Sequence, residues 1–181
     1  MGIFLLIKKY ALRILGVTLV VSTLGFYLYL QDYSRADAEA LALLSNETIV
    51  YEDKVYDFRT SADTALIFYP GGKVEAEAYA ILLKGIQDAG IRVFLVEMPF
   101  NLAVFDANAA DAIIEANPMV EHWYIGGHSL GGAMASQYAE KNGDKLDGLI
   151  LLAAYPLNDA LDKVLIISGS EDKVLDQSRL D

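Results

Sequence analysis

Trp123 to Gly132 reads WYIGGHSLGG, and within it Gly127-His128-Ser129-Leu130-Gly131 forms a Gly-x-Ser-x-Gly pattern. A serine on a tight turn between strand and helix needs small flanking residues, so that the backbone folds sharply and Oγ stands clear. Both neighbours are present. His122 to Ile125 reads as a strand before the turn, and Leu130 to Lys141 as a helix after it, capped by Asn142-Gly143. Gly131, Gly132, Ala133 and Ala135 let that helix approach a sheet closely. Five-residue patterns of this kind also arise by chance in glycine-rich turns. The seat between strand and helix makes Ser129 the candidate nucleophile.

Working outward, Ala65 to Tyr69 (ALIFY) is a continuous apolar strand. Glu75 to Ala89 follows with Tyr79, Leu82, Leu83 and Ile86 at helical spacing, until Gly90 stops it. Val93 to Val96 is the next strand, and Asn108 to Ala116 a helix ended by Asn117-Pro118. Downstream, Gly148 to Ala153 and Val164 to Ser168 are two more strands, and Leu175 to Leu180 reads as a helix. Five apolar runs separated by helices predict an α/β fold with a mostly parallel sheet and helices on both faces. Thr48 to Tyr51 and Lys54 to Phe58 read as a hairpin around Glu52-Asp53, and Ala36 to Leu44 as a short helix or linker.

Three segments in this order, Tyr69-Pro70-Gly71-Gly72, Met98-Pro99-Phe100-Asn101 and Gly126 to Gly132, resemble the α/β-hydrolase family. Within it they look most like a small, lid-poor bacterial branch. The resemblance runs from about Ala65 to Asp172, and it implies hydrolysis of an ester or related acyl bond of a small-molecule substrate, with no cofactor. It also implies that the loop after the first core strand offers an N–H to the oxyanion; Gly72 is the choice, with Gly71 and Lys73 as neighbours. The second donor is the N–H of Leu130, at a helix start where unpaired N–H groups and the dipole favour negative charge. The triad acid belongs after the Val164 to Ser168 strand, where Asp172 fits and Glu171 and Asp176 are near; Asp172 also suits a helix cap.

The family order requires a histidine after Asp172, and none follows. His128 directly precedes the nucleophile, so its side chain leaves the turn in another direction and suits packing or hydrogen bonding. His122 starts the strand, roughly 20 Å from Ser129 at about 3.3 Å per residue. The expectation is therefore an incomplete domain, lacking the last strand, the histidine loop and the closing helix, as a fragment or a truncated gene product. A reading from another class is a non-catalytic, membrane-anchored module that keeps the pocket for binding.

The total of 14 basic and 25 acidic residues gives a net charge of -11. Residues 1–30 hold Lys8, Lys9 and Arg13 but no acid, so the remainder is more acidic still, a poor match for nucleic acid. The absence of cysteine excludes disulfides and thiolate metal sites, and two histidines do not make a conventional zinc site. Ile14 to Leu30 is uncharged and long enough to span a hydrocarbon core, with Tyr27 and Tyr29 suited to the interface. The basic residues before it predict a cytoplasmic N-terminus and an outward-facing domain. Ala36-Asp37-Ala38 offers a signal-peptidase site, but well past the apolar stretch. The expected organisation is a membrane anchor over 1–30, a linker over 31–44 and the α/β domain over 45–181.

Overall fold

The computed structural model describes residues 2–157 and 161–172, by backbone alone before Tyr10. Two units separate, one ending at Tyr33 and the other beginning at Ser34. In the first, α1 (Gly2–Gln31) is one uninterrupted helix. Its Tyr10–Gln31 segment of 22 residues is about 33 Å long at 1.5 Å per residue, enough to cross a bilayer core of about 30 Å. None of that segment is buried. An apolar N-terminal helix of this kind suits a membrane anchor or a signal sequence.

The second unit is built on a seven-stranded sheet in the order β1-β2-β4-β3-β5-β6-β7. β1 (Ile49–Glu52) and β2 (Val55–Phe58) form the expected hairpin, which joins the sheet by antiparallel pairing of β2 with β4 (Arg92–Val96). Its turn falls one residue later than expected, at Asp53 and Lys54 with φ of 49° and 64°, the left-handed pair whose twist matches flanking strands. β3 (Thr64–Tyr69), β5 (His122–His128), β6 (Gly148–Leu152) and β7 (Val164–Ile167) complete the sheet, and β4-β3-β5-β6-β7 are mutually parallel.

Strand alternation divides the core into two layers. Ala65, Ile67 and Tyr69 face one side with Phe94, Ile125, Leu151 and residues of α4 (Ala110–Ala116) and α5 (Leu130–Asn142). Leu66 and Phe68 face the other with Phe58, Val93 and Leu95, under α2 (Ala38–Leu43) and α3 (Ala80–Asp88). Both faces are covered, which is why β3 is apolar at consecutive positions. α3 is preceded by a tighter helical turn, Ala76–Tyr79, and its buried stripe is Ala76, Ala80, Leu83 and Gln87. Leu82, expected to face inward, is 49% exposed, because the small alanines give the closer approach to the sheet.

The segment expected as helix or linker is integral to this unit from Ser34 onward. Ser34 donates to the Lys73 carbonyl (2.8 Å) and accepts from the Glu75 N–H (2.9 Å). Asp37 caps α2 by accepting from the Ala40 N–H at 2.8 Å, and Ala40 is buried.

Because five strands run parallel, the loops after β3, β4, β5, β6 and β7 all emerge at one edge. In open α/β sheets this carboxyl edge is where ligands bind.

Candidate functional site

Ser129 links β5 to α5 with φ 50° and ψ -117°. That combination is natural for glycine and costly for a residue with a Cβ. The surroundings hold it there. The Ser129 N–H donates to the Leu152 carbonyl (2.8 Å), and its own carbonyl accepts from the Ala133 N–H (3.0 Å). A Cβ on Gly131 would stand 2.2 Å from the carbonyl oxygens of both Tyr69 and Pro70, and one on Gly127 would stand 2.6 Å from the Tyr69 oxygen. Only glycine at these positions lets the start of α5 sit directly on the ends of β3 and β5.

The loop after β3 lies against this turn. A Cβ at Gly72 would meet Leu130 Cδ2 at 2.9 Å and Leu102 Cδ2 at 3.6 Å, so the Gly72 backbone is flanked by both leucines. The neighbouring N–H groups are committed: Gly71 donates to the Tyr79 hydroxyl (3.0 Å) and Lys73 to the Asn101 carbonyl (2.8 Å). Gly72 is left as the donor in this loop without an acceptor among the described residues. Leu130, in the first turn of α5, has no intrahelical acceptor either.

His128 occupies the other side of the turn. Its Nδ1 is 2.8 Å from the Tyr79 hydroxyl. The hydroxyl also accepts from Gly71, and the Tyr79–His128 hydrogen bond can run in either direction according to the imidazole tautomer. Burial pushes the His128 pKa down and the Asp172 charge opposes it, so Asp172 lies within electrostatic reach of His128. Burial likewise raises the Tyr79 pKa, against the lowering effect of the Gly71 N–H. Asp172 is half-buried in the loop after β7, where its N–H donates to the Gly169 carbonyl (3.0 Å). Glu171 is exposed, and Asp176 lies outside the described residues, as does the segment 175–180 expected to be helical.

The sequence-derived residues Ser129, Leu130, Gly72 and Asp172 thus gather at one edge of the sheet. His122 does not: it begins β5 at the opposite edge, exposed, with Nδ1 3.3 Å from Asp147 Oδ2. His128, by contrast, stands directly before Ser129 and pairs through Nδ1 with Tyr79. Tyr79 was read from the sequence as a packing residue of α3, and its link to Gly71 and His128 has no sequence signal. A cavity of about 660 Å³ lies elsewhere, between the β1-β2 hairpin, β4 and α4, and none of the four gathered residues lines it. A strained backbone beside N–H groups without an acceptor among the described residues makes the Ser129 turn the candidate site.

The sequence model of the Alpha/beta hydrolase family matches residues 65–181. The chain belongs to that family. No curated protein matches it. Among solved structures, this α/β hydrolase superposes on a Paleococcus ferrophilus monoacylglycerol lipase with a TM-score of 0.50 and 24% identity over 57% of the chain. It superposes on a Thermoplasma acidophilum protein described as a predicted CIB-like hydrolase with a TM-score of 0.56 and 19% identity over 74% of the chain. It spans 43% of the lipase and 77% of the Thermoplasma protein. These likenesses establish the fold.

Proposed function

We propose that this α/β hydrolase is a serine hydrolase acting on an ester or related acyl bond, with Ser129 as nucleophile. The observation that carries the reading is the strained Ser129 backbone beside the Gly72 and Leu130 N–H groups. Ser129 Oγ attacks the carbonyl carbon as its proton passes to water, the carbonyl oxygen becomes an oxyanion held by those N–H groups, and its collapse breaks the ester C–O bond, the leaving oxygen taking a proton from water; a second water then cleaves the acyl-enzyme to the acid and free Ser129. Asp172 is the proposed acid. The Tyr-Pro-Gly-Gly loop and Gly-Gly-His-Ser-Leu-Gly-Gly turn favour the small bacterial branch of the family. The apolar α1, with Lys8, Lys9 and Arg13 ahead of its uncharged stretch, supports a single-pass anchor that holds the hydrolase unit on the outer face of the cell membrane.

His122 stands at the opposite edge of the sheet and His128 pairs through Nδ1 with Tyr79, so neither is the proposed base for Ser129. Loss of a triad member costs several orders of magnitude in turnover while oxyanion-hole catalysis remains. The expected result is slow labelling of Ser129 by a fluorophosphonate, read by intact-protein mass spectrometry, that vanishes in Ser129→Ala and accelerates on adding imidazole. Labelling indifferent to Ser129→Ala refutes the nucleophile assignment. The engaged histidines also favour a second reading, a non-catalytic binding module, which complete inertness of Ser129 with and without imidazole would support.

A further inference from the structure

Close packing forces glycine at positions 71 and 72: a Cβ on Gly71 would stand 2.5 Å from His128 Nδ1, and one on Gly72 would stand 2.9 Å from Leu130 Cδ2. Two successive glycines leave the backbone with the most freedom a chain can have. An oxyanion donor needs the reverse, an N–H held in place before charge develops. The structure supplies the restraint from outside the pair. The Gly71 carbonyl accepts from the Val74 N–H at 3.3 Å, and in a planar trans peptide the N–H that follows, that of Gly72, points the opposite way. The Lys73 N–H is tied to the Asn101 carbonyl, which Phe100 and Asn101 present through consecutive left-handed φ of 56° and 55°. The Lys73 carbonyl is tied in turn to the Ser34 N–H.

One further tie differs in what lies at its far end. The Tyr79 hydroxyl accepts from the Gly71 N–H at 3.0 Å and lies 2.8 Å from His128 Nδ1. His128 is the residue before Ser129, so a single oxygen touches both the donor loop and the nucleophile turn. The ring that carries this oxygen is itself fixed. Tyr79 ends the tight turn Ala76–Tyr79, and its ring lies against those of Phe68 and His128, with centroids 5.1 and 5.9 Å away. Phe68 is buried in the sheet. The ties from Val74, Asn101 and Ser34 lead to other segments, whereas the Tyr79 tie leads to the nucleophile.

We propose that Tyr79 is a positioning residue, whose hydroxyl holds the Gly72 N–H in register with Ser129. The proposal rests on the serine-hydrolase reading and adds to it a residue that touches neither the substrate nor the reacting atoms. Either direction of the Tyr79–His128 hydrogen bond serves, because a phenol hydroxyl both donates and accepts. Without the hydroxyl, the Gly71 N–H loses its acceptor and the peptide before Gly71 is free to turn. The glycine pair passes that freedom on, and the Gly72 N–H no longer points steadily at the oxygen of a carbonyl bound beside Ser129. Tyr79→Phe keeps the ring and removes the clamp alone.

The test is labelling of Ser129 by a fluorophosphonate in the full chain in detergent, with imidazole taking the serine proton as Oγ displaces fluoride from phosphorus. Tyr79→Phe should lower the maximal labelling rate about tenfold, less than the roughly 10²–10³ for outright loss of an oxyanion donor, and change the half-saturating probe concentration by less than about twofold. The order parameter of the Gly72 amide should fall from about 0.85 to below about 0.6. Tyr56→Phe is the control. It removes the hydroxyl that donates to Glu77 Oε1 at 2.6 Å, another fastening of the turn Ala76–Tyr79. It should lower the thermal midpoint, as Tyr79→Phe does, and leave the labelling rate and the Gly72 amide at wild-type values. Equal slowing in the two variants would make Tyr79 a structural residue and overturn the proposal. So would unchanged labelling in Tyr79→Phe, or a Gly72 amide as ordered there as in wild type. Wild-type labelling indifferent to Ser129→Ala sinks the serine-hydrolase reading instead, and the Gly72 order parameter then decides the clamp by itself.

Discussion

The two ends of the sheet solve opposite problems. At the hairpin end, the cavity of about 660 Å³ is lined by Asp57, Arg59 and Arg92. There Arg92 forks onto Asp57 at 2.9 and 2.7 Å, Arg59 reaches the same carboxylate at 2.9 Å, and Arg92 lies 4.6 Å above the Phe94 ring. Every charge in that trio faces a partner. At the carboxyl edge, Ser129 is strained and the Gly72 and Leu130 N–H groups have no acceptor among the described residues. One end pairs its charges within the fold, and the other holds the proposed site.

The comparison breaks most severely at Gly131. A Cβ there meets two backbone carbonyl oxygens at 2.2 Å, with no flexible side chain to yield. Gly131→Ala should cost about 2–4 kcal/mol of unfolding free energy, in the range of severe backbone and overpacking defects. Gly85, in the middle of α3 with nothing within 4 Å, is the control. Gly85→Ala should stabilise by about 0.5–1 kcal/mol, because alanine replaces glycine in a helix interior at no steric cost. Urea unfolding of both variants reads the difference; equal effects would mean that α5 does not rest on the ends of β3 and β5.

Arg92→Leu tests the opposite end. It removes the bidentate partner of Asp57, which is 9% exposed, but Arg59 stays and compensates in part. A loss of about 2 kcal/mol is expected, below the range of about 3–5 for breaking a fully buried pair. Slow labelling of Ser129 should be unchanged. A variant as stable as wild type, or one with altered labelling, would show that the two ends are not the independent regions described.

Ser129→Gly sharpens the contrast from the other side. Glycine reaches φ 50° and ψ -117° without strain, so the variant should gain about 1 kcal/mol while losing all labelling. Thermal unfolding in the same detergent checks it. A destabilised Ser129→Gly would mean that the serine side chain makes a contact outweighing its backbone cost.

These contrasts also mark what the sequence could say. The elbow was legible because glycine spacing reports backbone demands directly, and the five apolar strands because a sheet covered on both faces leaves continuous apolar runs. The inward face of α3 was not, because Ala76 and Ala80 carry little hydrophobic signal beside Leu82. The Tyr79 link to Gly71 and His128 joins three elements through 2.8 and 3.0 Å contacts, and no local pattern encodes such a meeting. Nor does Phe100-Asn101 announce left-handed backbone, since neither is glycine. Tertiary ties, here the Lys73 N–H on the Asn101 carbonyl, override local preference.

The smallest expected effect is a pH dependence confined to the carboxyl edge. Burial lowers the His128 pKa in the folded protein, with the Asp172 charge opposing, while the unfolded chain titrates near 6.5. Between the folded value and 6.5 the unfolded state holds a proton that the folded state lacks, so stability rises with pH there. The contribution is intact above about pH 6.5 and is lost as pH falls below it, down to the folded pKa. A protonated imidazole donates through Nδ1, and the Tyr79 hydroxyl then accepts from both Nδ1 and the Gly71 N–H. His128→Gln keeps an acceptor for Tyr79 but does not titrate. Urea midpoints from pH 7.5 to 5.5 should therefore fall more steeply for wild type than for His128→Gln, and more steeply again for Asp172→Asn, which removes the charge that supports protonation. Identical slopes for wild type and His128→Gln would show that His128 is not the titrating group. A shallower slope for Asp172→Asn would mean that Asp172 does not face His128, and the acid would then be sought at Glu171.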